Sequence, residues 1–121
     1  MMNKNCTIYR SYDIIGKKWS LLVLFELYRH DMQEKRYSEL KRALPGITPK
    51  LLSLRLKELE REGLITKTID AKTFPVKSIY KLTKSGEEFI DIIKSLKKWS
   101  LKWHVKSAHC KNTDCRYCDL I

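Results

Sequence analysis

RYSELKRALPGITPKLLSLRLKELEREG, residues 36–63, is the stretch whose reading decides the fold. It predicts two helices joined by a tight turn. The first covers Tyr37 to Ala43, with Leu40 and Leu44 apolar. Pro45-Gly46 breaks it, because proline disfavours helical angles in the residue before it and glycine accepts positive φ. Thr48 supplies a hydroxyl N-cap, Pro49 suits the first helical position, and Gly63 closes the second helix. At 100° per residue, Leu52, Leu56 and Leu59 form a buried stripe with Leu51 at its edge. Lys50, Ser53, Leu54, Lys57 and Arg61 fall opposite. A polar helix face can be merely solvated. Here it follows a helix and a tight turn in a basic chain, the arrangement in which a second helix enters the DNA major groove by its N-terminal end.

The 121 residues suffice for one domain with a modest core. No apolar run is long enough to span a bilayer, and MMNKNC has no apolar signal-peptide core, so a cytoplasmic protein is expected. The net charge is +11. Lys35 to Lys57 holds seven basic residues and one acidic, and Lys67 to Lys84 holds five and one. The excess is read as concentrated in these two segments, which suggests a polyanion partner, since phosphate neutralisation supplies much of DNA affinity.

Residues 1–6 read as a loose arm ending at Cys6. Thr7 caps a short helix from Ile8 to Ile15, closed by Gly16. A second helix runs from Trp19 to about His30, apolar nearly all round and therefore central. His30 to Lys35 reads as a polar loop, with His30 exposed. After Gly63 the pattern alternates, predicting strands at Leu64 to Ile69 and Ser78 to Leu82. Their connection carries Lys72 and Lys77. A plain hairpin is one reading; a wing whose basic loop reaches phosphates or the minor groove is the one favoured.

Thr83 caps a last long helix, with Glu87 and Glu88 placed to complement its dipole. Phe89, Ile92, Ile93, Leu96, Trp99 and Trp103 recur at three- and four-residue spacing in a stripe running to about Ser107, about 35 Å long. So small a domain cannot cover all of it, and large leftover apolar surface marks an interface. A homodimer is expected through Ile92, Leu96, Trp99 and Trp103, helped by Ile8 and Tyr12. Cover by the chain's own N-terminal arm is the alternative.

These residues carry a family resemblance. Ile15-Gly16-Lys17-Lys18-Trp19, Arg36-Tyr37-Ser38-Glu39-Leu40, the run from Pro45 to Leu59, and Tyr80-x-Leu82-Thr83-x-x-Gly86 resemble HxlR-type winged-helix transcriptional regulators. With Cys6, the resemblance covers about residues 6 to 103. It implies a winged helix-turn-helix homodimer that binds operator DNA. It also implies that Cys6 stands where some members sense thiol-reactive compounds, although Thr7 follows it where the family usually has proline. Ile79 likewise stands where the family usually has Glu.

The expected fold class is α+β, mostly α: a winged helix-turn-helix with a long C-terminal dimerisation helix over residues 1–107, and a Cys-rich tail over 108–121. The residues expected to contact DNA are Arg36, Thr48, Lys50, Ser53, Leu54, Arg55, Lys57, Lys72 and Lys77. Arg55 lies beside the core stripe, so an acidic partner is its other reading. The expected partners are double-stranded DNA with an inverted-repeat operator and a second copy of the chain.

In the tail, Cys110, Cys115 and Cys118 lie close to His104 and His109. Cys115-x-x-Cys118 has the spacing of a metal or redox pair. Zinc held with His104, His109 or Cys6 is one reading, a thiol switch with Cys6 a second, and reduced inert thiols a third. No cofactor is required. A fourth cysteine for an iron–sulfur motif is missing. No glycine-rich phosphate loop or cleft carboxylate pair suggests an enzyme. The competing functions are a sequence-tolerant DNA-coating protein and a small thiol or zinc protein.

Overall fold

The computed structural model describes residues 3–30 and 34–118, and its elements follow the punctuation of the sequence. Helix α1 spans Thr7–Ile15, α2 Ser20–Tyr28, α3 Tyr37–Ala43 and α4 Pro49–Arg61. Strands β1 (Glu34–Arg36), β2 (Ile65–Asp70) and β3 (Lys77–Leu82) form an antiparallel sheet in the order β1-β3-β2. Helix α5 spans Lys84–Trp103, and a short α6 (Ala108–Asn112) and a single 3₁₀ turn (Cys115–Tyr117) follow. This is a winged helix-turn-helix with a long last helix.

The core is built on α2. Val23, Leu24 and Leu27 are fully buried, and around them gather Leu40 of α3, Leu52, Leu56 and Leu59 of α4, Tyr80 and Leu82 of β3, and Ile90 of α5. The turn before α4 forms as its residues dictate. Gly46 takes φ +94, Thr48 Oγ1 accepts the Leu51 N–H at 3.1 Å, and Pro49 opens the helix. Gly63, at φ +81, ends it. At the other end of the wing, Thr83 Oγ1 accepts the Gly86 N–H at 3.2 Å and starts α5. A Cβ on Gly86 would lie 2.2 Å from the Leu64 carbonyl oxygen, so only glycine lets α5 pass this close to the start of β2.

Several expectations need correction. The supposed loop from His30 to Lys35 contains the start of β1, and its residues 31–33 lie outside the described residues, as do residues 1–2 of the expected arm. Strand β1 exists because Lys35 has an interior destination. Paired with Tyr80 across the sheet, its ammonium donates to the carbonyls of Glu26 and Arg29, each at 2.7 Å. A cation thus adds a donor to the Glu26 carbonyl, which the Arg29 N–H reaches at 3.3 Å, and supplies one to the Arg29 carbonyl. Trp19 is not the first residue of α2 but its N-cap, in the left-handed region at φ 82. Helix α2 stops at Tyr28. Thr7 lies inside α1, whose N-cap is Cys6. Helix α5 ends at Trp103 rather than Ser107.

The tail docks on the domain. Arg29 donates to the carbonyl of Cys118, the His30 N–H donates to the Arg116 carbonyl at 3.0 Å, and the Arg116 guanidinium sits 4.7 Å from the Tyr28 ring. Lys97 donates to the Thr113 carbonyl at 2.9 Å. No helix among the described residues is long and apolar enough to cross a membrane.

Candidate nucleic-acid interface

Helix α4 buries Leu52, Leu56 and Leu59 and leaves Lys50, Ser53 and Leu54 exposed along its N-terminal half, with Lys57 exposed just beyond. Two contacts fix that half. The Tyr37 hydroxyl donates to the Pro49 carbonyl at 3.1 Å, and Ser53 Oγ bonds the same hydroxyl at 3.4 Å. Tyr37 is thus a positioning residue for the first turn of α4. Its sequence reading as a helix start gave no sign of this. Thr48 serves through its cap.

Arg55 does not share the open face. Its Nε donates to the Lys18 carbonyl at 2.8 Å, its Nη1 lies 2.6 Å from Glu58 Oε1, and its side chain is only 12% exposed. The acidic partner that its place beside the core stripe suggests is Glu58. Glu58 also pairs with the Lys17 ammonium. The bond from Lys17, helped by Arg55, holds the Glu58 carboxyl below its ordinary value of 4.5 against the opposing effect of burial. Together Lys17, Lys18, Arg55 and Glu58 clamp α4 to the junction of α1 and α2.

The wing divides its charges. Lys72 is exposed at the tip. Lys77, paired with Asp70 where the wing strands meet the tip loop, lines with Arg36, Ser38, Glu39 and Arg42 a groove of about 500 Å³ between α3 and the sheet. Arg36 also approaches Asp70 at 3.9 Å. Arg42, exposed on α3, joins the basic residues of this groove and was missed in the sequence, where it reads only as a helix surface residue. The tip is aromatic as well as basic: Phe74 is 100% exposed.

The expected dimer residues share one condition. Ile8, Tyr12, Ile92, Leu96, Trp99 and Trp103 are all exposed, Trp99 by 54% and Trp103 by 64%. The stripe on α5 splits, because Phe89 and Ile93 pack on the core while the other four stay outside. The described part of the N-terminal arm leaves those four exposed.

Among the described residues, no three His, Cys, Asp or Glu side chains gather as a metal would need. Cys118 Sγ and His109 Nε2 approach within 3.8 Å, whereas His104 meets Trp99 in a tilted ring contact with centroids 4.6 Å apart. Cys6, Cys110, Cys115 and Cys118 are free thiols, and only Cys118 is buried. The charge reading also needs amendment. A third segment, Lys94 to Arg116, holds seven basic residues and one acidic.

Comparison with known proteins bears on what this surface serves. The HxlR-like helix-turn-helix family matches residues 14–108. The HTH-type transcriptional regulator YvaP of Bacillus subtilis is 36% identical over 94 residues, covering 78% of this chain and 83% of its own. A crystal structure described as a MarR-family transcriptional regulator from Porphyromonas gingivalis superposes with a TM-score of 0.73 at 35% identity, covering 85% of this chain and 97% of that one. The oxidised form of the redox regulator HypR superposes with a TM-score of 0.70 at 29% identity, covering 83% and 99%.

The clamp makes a pH-dependent prediction. A carboxyl held below its unfolded value stabilises the fold above that value and ceases to do so as pH falls through the folded one. Glu58→Gln should therefore lower stability near neutral pH by up to about 1 kcal/mol. The gap from wild type should close as denaturation is repeated below pH 4.5. A constant gap across that range would remove the ionised carboxylate from the clamp.

Proposed function

The chain belongs to the HxlR-like helix-turn-helix family of transcriptional regulators, and on that premise we propose that it acts in the cytoplasm as a homodimer reading an inverted-repeat operator. The observation that carries this reading is the open N-terminal half of α4. Lys50, Ser53 and Leu54 are exposed there, with Lys57 just beyond, on a helix held by Tyr37 and by the Glu58 clamp. Leu54 suits a thymine methyl, and the lysines suit guanine edges or phosphates. The wing carries Lys72 beside Phe74, and an exposed aromatic at that place suits the minor groove. Arg36, Arg42 and Lys77, in the groove between α3 and the sheet, suit the phosphate backbone between the two.

The homodimer half of the proposal rests on apolar area. Six large side chains from α1 and α5 remain exposed in a chain of 121 residues. Pairing them by two-fold symmetry covers each with its own kind. The symmetry would place two α4 helices about 34–36 Å apart, one turn of DNA.

Control through thiols is the second part of the reading, supported by the likeness to the redox regulator HypR. Cys6 caps α1, the helix that carries Ile8 and Tyr12, so a modification there acts where the subunits meet. No metal or other cofactor is needed for this, and no catalytic step is part of the function proposed.

Three measurements test these statements. The Lys50→Ala/Lys57→Ala protein should lose operator affinity while keeping its fold, whereas wild type should prefer operator over random DNA by ~10³-fold or more. Equal affinity for both DNAs would instead favour a DNA-coating protein. In sedimentation, wild type should be dimeric at micromolar concentration, and Trp99→Glu or Trp103→Glu monomeric. A monomeric wild type ends the dimer reading. Mild oxidant should change operator binding by wild type and leave Cys6→Ser unaffected. The same response from both would place control at another group.

A further inference from the structure

The third basic segment has no place in the DNA-binding surface described above. On α5, Lys94, Lys97, Lys98, Leu101 and Lys102 recur at three- and four-residue spacing and so share one side of the helix. Lys94 and Lys98 lie about 130° or more round from the centre of the exposed stripe of Ile92, Leu96, Trp99 and Trp103. The docked tail brings Lys111 to the same side. These residues line a groove of about 480 Å³. It adjoins a second hollow of about 470 Å³ that shares Lys94, Lys97, Lys98 and Lys111 and is closed by Thr113, Asp114 and Cys115.

None of the five lysines is in an ion pair among the described residues. The ammoniums of Lys94 and Lys102 lie over the Tyr28 and Trp103 rings. That of Lys97 holds the Thr113 carbonyl. The side chains of Lys98 and Lys111 have no partner among the described residues. The one carboxylate in the tail wall, Asp114, accepts the Arg116 N–H at 2.9 Å. Five like charges around one hollow repel one another, and lysines four apart on a helix are mildly destabilising. A folded chain that keeps this arrangement is suited to a counter-charge.

We propose that this groove between α5 and the tail binds a small anion bearing three or more negative charges, phosphoryl or carboxyl. The hollow has the size of a small-molecule site, with Leu101 as apolar floor. Duplex DNA is the less suited occupant. Lys94 to Lys102 lie about 15–27 Å along α5 from its wing-bearing start. A bound anion would join Lys98 of α5 to Lys111 of the tail and tighten the tail against the helix whose other side carries the exposed stripe. Anion binding stands without the regulatory function; only its use as an effector site rests on that reading.

The test uses the full chain without DNA, at low ionic strength, with inorganic tripolyphosphate and citrate as separate probes. Either probe should raise Tm by about 5 °C or more at saturation, and the stronger one tells phosphoryl from carboxyl. Lys98→Gln/Lys111→Gln should fold with Tm at or above that of wild type, because repulsion is relieved. Its affinity for the probe by calorimetry should fall at least about tenfold. Lys50→Gln/Lys57→Gln should respond as wild type does. No response in wild type overturns the proposal. So does loss of response in the Lys50/Lys57 variant alone, which would place the anion on α4. A third overturning result is loss of random-duplex binding in the Lys98/Lys111 variant equal to that in the Lys50/Lys57 variant.

Discussion

The C-terminal end of α2 is the point on which the rest of the structure depends. A central helix ending inside a domain leaves carbonyls without partners, and water cannot reach them. Here a lysine ammonium adds donors: Lys35 binds the carbonyls of Glu26 and Arg29. Burial pushes Lys35 below the usual lysine range, and the Glu26 carboxylate works against that effect. Next to it Arg29, also buried, pairs with Glu26 at 3.0 Å and reaches the Cys118 carbonyl. One small charged cluster therefore fixes β1 against β3, ends α2, and docks the tail. Such a cluster adds little net stability compared with apolar packing, but removing one member leaves a buried charge uncompensated, which is costly. It specifies an arrangement more than it strengthens one.

The recognition helix is held by a different device. Its buried leucines set its depth, but leucines alone permit sliding and rotation. Glu58 and Arg55 remove that freedom by reaching Lys17 and the Lys18 carbonyl at the α1–α2 junction. Tyr37 does the same for the first turn. Helix α4 is thereby referenced to the N-terminal helix, which carries Ile8 and Tyr12, and not only to the core. Short polar bonds from Lys17 and Lys18 thus tie α4 to the segment that joins α1 to α2.

What could be read from the sequence was whatever local chemistry decides. Helix α3 and the start of α4 fall where Pro45-Gly46 and Thr48-Pro49 place them, and both wing strands lie within a residue of the expected bounds. Strand β1 could not be read, since Glu34-Lys35-Arg36 has neither alternation nor an apolar residue. Its existence depends on β3 and on carbonyls nine and six residues earlier. Arg55 was ambiguous because a helical wheel places it at the edge of the buried stripe without saying what lies across from it. The third basic segment was as legible as the first, since Lys94 to Arg116 holds the same seven basic residues and one acidic as Lys35 to Lys57. Four of its lysines share one side of α5 by helical spacing, and Lys111 joins them only when α6 folds back beside α5.

That fold-back also explains why α5 is longer than its core requires. Phe89, Ile90 and Ile93 face the core. Beyond them the helix has two sides with different tasks. One holds Lys97 against the Thr113 carbonyl and forms the lysine groove with the tail. The other leaves Trp99 and Trp103 exposed. The two sides share a single rigid rod, and His104, in ring contact with Trp99 where the rod ends, begins the segment that returns to α2. The tail's anchors, Arg29 and His30, lie at the same end of α2 that Lys35 completes. The outermost segment of the chain thus depends on the innermost helix, and its position is coupled to the packing that holds the whole domain together.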